Sequence, residues 1–363
     1  MVRFNTDPLD APVSDQELRA LKRRRAAGEF GKRPFPVLTV VFLAIAVVFV
    51  IVFVTFMGSM WAISTQVSGT NSLSMMPWFL VGFVVFFCLV AGLILYSHLR
   101  SPGGKTWPLL ARFADVNGMR FGLLSPNPQY QGVIFDEGRD RKAVNHLYSP
   151  TGVFADAGRY CYTTGSGENR QTHHWNFVAF RLPRRVPHLL LDAKANNKMW
   201  GFTNLPEAFH SSQRLTLGAP FDDHYQLYAP GGYGQDAFYL LPPNVMEALL
   251  NAPAVYDIEM VDDWLFCYTQ SPQDLSDPAT WRLFEIITNG LMGTLMPVVS
   301  RYRDRHVEPQ PAMAAQGVPQ APGQVAPQGT RLRKGFNKAV LVSVAFFVGY
   351  VLFRILVQLI FRM

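Results

Sequence analysis

The hydrophobic pattern of this chain contains three apolar runs long enough to cross a membrane. No Asp, Glu, Lys or Arg occurs between Arg33 and Arg100, and residues 37–57 and 78–97 of that stretch are almost wholly apolar. A third run covers residues 339–361. At a rise of about 1.5 Å per residue, a helix of about 20 residues crosses the hydrocarbon core of a bilayer. The pattern predicts three transmembrane helices, the first two forming an antiparallel hairpin across a short uncharged loop.

Two features of these runs leave room for other interpretations. A signal peptide has an apolar region of about 7–15 residues close to the N-terminus, whereas the first run is longer and begins after residue 36. We therefore expect a retained helix. Arg354 interrupts the third run, where it either extends to the membrane interface or faces a helix bundle or pore.

Basic residues lie beside each apolar run on one side only. They are Arg19, Lys22, Arg23, Arg24, Arg25, Lys32 and Arg33 before the first run, Arg100, Lys105 and Arg112 after the second, and Arg331, Arg333, Lys334 and Lys338 before the third. Lys and Arg favour the cytosolic side of the plasma membrane and attract anionic lipid. This placement predicts a multi-pass protein with a cytosolic N-terminus, a cytosolic central domain and an extracytoplasmic C-terminus.

The same pattern divides the chain into five parts. Residues 1–36 form a basic cytosolic segment, in which Ser14 and Glu17 have capping-box spacing. Residues 37–98 form the transmembrane hairpin, and 99–306 a cytosolic domain. Residues 307–337 are a linker rich in Pro, Gln and Ala followed by a basic flank, and 338–363 form the third transmembrane helix.

Neighbouring strand patterns with helices at the ends predict an α+β soluble domain, mostly antiparallel sheet, with a long C-terminal helix. The expected strands are 152–163, 173–182, 187–192, 214–217, 225–228 and 237–241, followed by a hairpin of 256–261 and 264–269 that turns at Asp262-Asp263. Helices are expected over 107–118, from Pro243, and over 278–303. The last helix should bury Leu283, Ile286, Ile287, Leu291, Leu295 and Val298 on one face. This domain joined to three transmembrane α-helices is the expected fold.

Charge and cysteine content exclude some classes of protein. The formal charge is +7, and residues 331–363 contain six basic and no acidic residues, so the excess lies beside the membrane rather than on the domain. A nucleic-acid binder carries its basic patch on the folded domain, so no nucleic-acid partner is expected. Three cysteines, Cys88, Cys161 and Cys267, without a C-x-x-C spacing favour a reducing compartment and neither a disulfide framework nor a zinc site.

Aromatic motifs occupy the second half of the domain. They are Phe221-Asp222-x-x-Tyr225-x-x-Tyr228, Asp236-Ala237-x-Tyr239-Leu240-Leu241-x-Pro243, and then Met246 and Leu249. Over residues 214–269 the chain resembles a bacterial multi-pass membrane-protein family known only as a domain of unknown function, which brings no activity with it. Because alternate strand residues face opposite sides, one strand cannot bury Phe221, Tyr225 and Tyr228 together, so we expect the chain to turn at Asp222-Asp223.

Each group of candidate catalytic or metal-binding residues also has a purely structural interpretation. His173-His174, His210 and His224 lack metal-ligand spacing, and adjacent strand residues face apart. Asp222-Asp223 and Asp262-Asp263 fall where turns are expected. Gly231-Gly232-Tyr233-Gly234 is expected to join two strands rather than to precede a helix, unlike a phosphate loop. Gly165-Ser166-Gly167 is typical of a hairpin turn. No catalytic, cofactor-binding or metal residue is therefore predicted.

These observations favour a membrane-tethered cytosolic interaction or regulatory module without catalysis, with the bilayer and another protein as partners. Two alternatives stay open. One is a subunit of a transport or channel assembly, for which Arg354 would line a helix interface. The other is a membrane-anchored enzyme whose site the sequence does not reveal, for which convergent polar side chains in the fold would be the sign.

Overall fold

A computed structural model describes residues 2–31, 37–68, 82–83, 85–87, 89–90, 92, 106–197, 203–251, 255–307, 324–335 and 348–350. The chain forms two compact units. The first contains Met1–Gly31 and Pro108–Met363, and the second contains Lys32–Trp107.

The first unit is built on a seven-stranded antiparallel sheet. The strands are β1 (Arg120–Pro126), β2 (Arg139–Tyr148), β3 (Phe154–Thr164), β4 (Gln171–Ala193), β5 (Arg214–Leu215), β6 (Tyr225–Tyr228) and β7 (Asp257–Thr269). Their order is β1-β2-β3-β4-β6-β5, and β7 pairs with the other edge of β4. The 23-residue β4 organises the sheet because it pairs with β3, β6 and β7.

Three strand predictions were wrong, and the length and pairing of β4 explain two of them. The runs 173–182 and 187–192 belong to this one strand. The runs 256–261 and 264–269 are both part of β7 and both pair with β4, so they do not form a hairpin; Asp262, at a φ of 52°, marks an irregularity within the strand. The run 237–241, expected as a strand, lies in a helix that spans Gly234–Leu240. Strands β1 and β2 were not predicted.

Helices surround the sheet. In chain order, the helices of the first unit are α1 (Asp7–Asp10), α2 (Asp15–Ala26), α4 (Trp107–Val116), α5 (Phe221–His224), α6 (Gly234–Leu240), α7 (Pro243–Asn251), α8 (Pro278–Ile286) and α9 (Gly293–Arg301), and the second unit contains α3 (Val37–Ser68). A π-helical turn, Ile287–Met292, joins α8 to α9. The expected buried face was correct at Ile287, Leu291 and Leu295, but Ile286 is 57% exposed. Trp281, Phe284 and Val299 are buried as well.

The expected fold class was wrong in two respects. Among the described residues, one helical stretch, Pro278–Arg301, is long and apolar enough to cross a membrane, where three such helices were expected, and 39% of its apolar window is buried inside the unit. Ala44–Ser59 is a shorter apolar helical stretch. Second, the long helix lies in the middle of the chain and is not C-terminal. The predicted helix 339–361, with Arg354, and most of 78–97, with Cys88, lie outside the described residues.

The N-terminal segment packs in the first unit. Ser14 caps α2 and Glu17 completes the capping box, which confirms that prediction. Phe4 is 9% exposed, with its ring centroid 5.1 Å from that of Trp281 and 5.4 Å from that of Phe154. Further along, the Leu123 N–H of β1 donates to the Phe30 carbonyl at 2.8 Å. This segment is therefore part of the folded unit.

Residues 324–335, expected to be linker and basic flank, form a strap against the same unit. The Arg333 N–H donates to Gln213 Oε1 at 2.8 Å, and the Arg333 carbonyl accepts from the His210 N–H at 3.2 Å. Phe209 and Lys334 form an antiparallel bridge. Leu332 is 8% exposed within the core cluster. The strap thus binds as a short extra strand, using backbone hydrogen bonds that a free linker would leave to water.

Candidate functional site

The histidines considered in the sequence do not converge. His173 Nε2 lies 2.8 Å from Thr164 Oγ1, and His174 Nδ1 lies 3.1 Å from Cys161 Sγ. Burial, followed by the nearby Arg159 and Lys142 charges, lowers the pKa of His174. His210 bonds with Ser212, and His224 ends α5.

The aspartate and glycine motifs take structural positions. Asp222 accepts the N–H groups of Leu217 and Gly218 at 3.0 and 2.8 Å, which is the expected turn chemistry. The chain does turn there, and Phe221, Tyr225 and Tyr228 are all buried from two elements, α5 and β6. Asp262 pairs with Arg331 of the strap at 3.0 Å.

One glycine motif precedes a helix, contrary to expectation. Gly231-Gly232-Tyr233-Gly234 leads directly into α6, a helix of seven residues. Asp236 lies in its first turn and is buried, which places a carboxylate where a phosphate would have to bind. Gly165-Ser166-Gly167 joins β3 to β4, as expected of a hairpin turn.

A serine, a histidine and an aspartate from three neighbouring strands form a hydrogen-bonded chain. Ser125 Oγ of β1 lies 2.7 Å from His146 Nε2 of β2. His146 Nδ1 lies 3.0 and 2.9 Å from the two carboxylate oxygens of Asp156 in β3. Because an ionised carboxylate only accepts, Nδ1 carries the proton and Nε2 accepts from the serine hydroxyl. Tyr130 donates its hydroxyl to Asp156 Oδ2 at 2.5 Å, and burial followed by the Asp156 charge raises the pKa of Tyr130.

The strand pairing is irregular near His146 and Asp156. The β2–β3 register shifts between Val144 and Leu147, a stretch that contains Asn145 at a φ of 48° and His146. The β3–β4 register shifts between Phe154 and Asp156. Bulges redirect side chains and occur often beside active sites.

Two glycines make the space that the imidazole occupies. A Cβ at Gly122 would lie 2.2 Å from His146 Nε2, and a Cβ at Gly158 would lie 2.3 Å from the His146 Cβ. Real side chains cannot approach this closely, so any residue larger than glycine would displace the ring. His146 and Asp156 are 5% and 1% exposed, while Ser125 is partly exposed on the edge strand. The two glycines therefore leave the space in which a buried histidine lies beside a partly exposed serine.

A second buried pair lies beneath the strap. His188 Nε2 is 2.6 Å from Glu259 Oε1, and His188 Nδ1 accepts the Leu332 N–H at 3.1 Å. Glu259 also accepts from the Tyr268 hydroxyl and the Val133 N–H. The bond between His188 Nδ1 and the Leu332 N–H attaches the strap to the sheet, and Glu259 behind it is fully buried.

Two further carboxylates face each other in the sheet. Asp192 and Asp257 lie one position beyond the paired residues Leu191 and Ile258, hence opposite each other on β4 and β7. They are 3% and 0% exposed, and Asp192 Oδ1 and Asp257 Oδ2 have no hydrogen-bond partner among the described residues. Burial raises the pKa of Asp192 to about 6, and burial with the Asp192 charge raises that of Asp257 to about 7.

Asp236, Asp304 and His306 bring ligand atoms within 4.8 Å of one another, as a metal site would. The donors around them do not fit that use. Asp304 already accepts four hydrogen bonds, from the N–H groups of Ala326 and His306, the Tyr233 hydroxyl and His306 Nδ1. Burial opposes ionisation of Asp304, but these bonds outweigh it and lower its pKa. The cluster instead binds the beginning of the strap, because Asp304 accepts the Ala326 N–H.

Sequence reasoning missed Ser125, His146, Asp156 and Tyr130 altogether. Two of them lie on β1 and β2, which were not predicted, because RKAVNHLY has only a few apolar residues and a bulge breaks their alternation. The only usable signal was the pair of glycines at positions 122 and 158, whose significance depends on strand pairing.

Comparisons with known proteins give little further information. No family model and no curated protein matches the chain. A solved structure, the crystal structure of the mycobacterial trehalose monomycolate transport factor A, TtfA, is similar at 11% identity and a TM-score of 0.35, covering 54% of this chain and 96% of that chain. A likeness at that score supports no conclusion about this protein.

Proposed function

We propose that this protein is a membrane-tethered interaction or regulatory module, in which the second unit anchors the first to a bilayer. The observation that carries the proposal is the position of the two ends of the anchor. The chain leaves the first unit after Gly31 and re-enters it at Pro108. Arg24 of α2 bonds Asp115 of α4, so both ends are held on the same side of any membrane. We infer that the apolar residues between them leave and return on one side of the membrane, as a hairpin does.

The side chains of the anchor support this role. Seven large apolar residues of α3 are between 51% and 59% exposed: Ile45, Val47, Val48, Phe49, Ile51, Val52 and Phe56. An exposed surface of this kind, without a charge from 34 to 99, suits lipid rather than water. The rings of Phe53 and Phe83 stack at 4.1 Å, and Phe49 and Phe87 lie 6.1 Å apart, so helical residues beyond position 80 pack along α3.

From the basic residues that flank the anchor we infer that the first unit lies in the cytosol, at the plasma membrane. A reporter inserted at Thr70, between the two apolar runs, should be extracytoplasmic. Reporters fused before Met1 or inserted at Ala321 should be cytosolic. A cytosolic reporter at Thr70 would contradict the hairpin.

A groove of about 450 Å³ between α7 and the π-helical turn is the surface we assign to a protein partner. Its walls include Glu247 and Asn251 on one side and Gly290 and the exposed Ile286 on the other. A mixed apolar and polar groove beside a helix suits an amphipathic helix of another protein.

Gentle detergent extraction followed by co-purification tests this assignment. Ile286→Asp should remove a specifically bound protein by placing a charge in the groove. Val116→Asp is the matched control, since Val116 is a 52% exposed apolar residue of α4 that does not line the groove. Equal loss, or no loss, of the bound protein in both variants would rule out the groove as its binding surface.

A further inference from the structure

We propose that Ser125 is a nucleophile, activated by His146 and Asp156, that attacks the carbonyl carbon of carboxylic esters. This inference goes beyond the proposed function, which requires only anchoring and binding. It replaces the expectation of a domain without catalysis, because these three strands bring together the convergent polar side chains that an enzyme needs.

The order of the hydrogen bonds is the one that nucleophilic catalysis requires. A serine hydroxyl is a weak nucleophile unless a base accepts its proton, and the base works when a third group fixes its tautomer and orientation. Nε2 of His146 lies 2.7 Å from the hydroxyl, and Asp156, almost fully buried, holds the opposite nitrogen at 2.9 Å. Tyr130 fixes the carboxylate in turn.

The reaction needs no oxidant or further cofactor. As Ser125 Oγ bonds to the carbonyl carbon, its proton passes to His146 Nε2. Collapse of the tetrahedral intermediate breaks the ester C–O bond, and the leaving alcohol takes that proton. Water then attacks the acyl-serine while His146 accepts a proton from it and returns this proton to Oγ. The products are a carboxylic acid and an alcohol.

The test is covalent labelling of the full chain in detergent with a fluorophosphonate, which forms a P–O bond at an activated serine and releases fluoride. Peptide mass spectrometry should find the adduct on Ser125, and Ser125→Ala should abolish it. Asp156→Asn should slow labelling by about 100-fold or more, the range for loss of general-base assistance. Thr164→Ala is the matched control and should label as the parent does, because it also removes a hydroxyl bonded to a histidine, His173.

Two results would overturn the proposal. One is labelling of Ser125 no faster than that of other serines in a parent protein that melts cooperatively. The other is an unchanged rate in a folded Asp156→Asn variant. If that variant does not fold, Tyr130→Phe replaces it, since it removes only the hydroxyl that holds Asp156. Its labelling should slow by about 3-fold or more, and an unchanged rate would likewise refute the assignment.

Discussion

Replacing Asp257 by asparagine should stabilise this protein at alkaline pH, although it removes a buried carboxylate at the centre of the sheet. In the folded chain Asp257 faces Asp192, and burial with that neighbouring charge raises the pKa of Asp257 from 3.8 to about 7. An asparagine side chain keeps the oxygen that accepts the Ala193 N–H at 2.9 Å. Its new amide N–H group faces Asp192, whose Oδ1 has no partner among the described residues.

The sign and size of this change in stability follow from proton linkage. Because the folded pKa lies above the unfolded value, the native state holds more protons between about pH 4 and pH 7, and stability falls as pH rises through that window. A pKa difference of about 3 units corresponds to about 4 kcal/mol, which is an upper value because the two carboxylates titrate together. Asp257→Asn should therefore gain about 2–4 kcal/mol at pH 8, and this gain should disappear near pH 4.

Urea unfolding of parent and variant at pH 4, 6 and 8, in the same detergent, measures this difference. Asp140→Asn is the control, because the Asp140 side chain is 56% exposed and its pairing with Arg170 is at the surface. That change should alter stability by less than about 0.5 kcal/mol at every pH. A loss of stability in Asp257→Asn at pH 8 would refute the reasoning, since it would mean that the ionised carboxylate has a favourable partner in the native protein.

Three other outcomes follow from the packing. Phe221→Ala should destabilise the protein by about 3–5 kcal/mol, because the Phe221 ring is only 3% exposed. Asp222→Ala should cost only about 1 kcal/mol, for the hydrogen bonds lost in the turn. Thermal melting of the two variants measures this difference. Gly329→Ala should speed amide exchange throughout the strap, because its Cβ would lie 2.3 Å from the Tyr233 ring. A chelator should leave the melting temperature unchanged, because hydrogen bonds already occupy Asp304; a drop would show that a metal binds there.

The sequence pattern correctly predicted the elements that depend only on neighbouring residues. The Ser14–Glu17 capping box and the helix that begins at Pro243 were both correct, since each depends on residues within one turn. For the helix predicted over 278–303, the sequence period correctly identified Ile287, Leu291 and Leu295 as buried but wrongly included Ile286. Composition also identified residues 308–330 as unable to form a core, but it could not show that 324–335 bind an existing sheet through backbone groups.

Long-range pairing determined the rest. Whether 256–261 and 264–269 pair with each other or with a third strand depends on β4, whose two halves are separated from them by about 80 residues of chain. The candidate site depends on pairing even more strongly. Ser125, His146 and Asp156 are separated by 21 and 10 residues, and they meet only because β1, β2 and β3 pair with two register shifts. No motif of fixed spacing could represent that geometry.

The accessibility of Ser125 distinguishes its cluster from the other buried polar groups of the first unit. Replacing buried ionic groups with apolar residues often stabilises a protein, so such groups indicate specificity or function more than stability. The strap covers His188 and Glu259 and uses them for its own attachment, and hydrogen bonds fill the acceptor positions of Asp304. Ser125 differs because it lies on the edge strand and is partly exposed, while the histidine and aspartate behind it are not. This difference in exposure is the reason that the proposed nucleophile is Ser125 rather than a side chain of the other buried clusters.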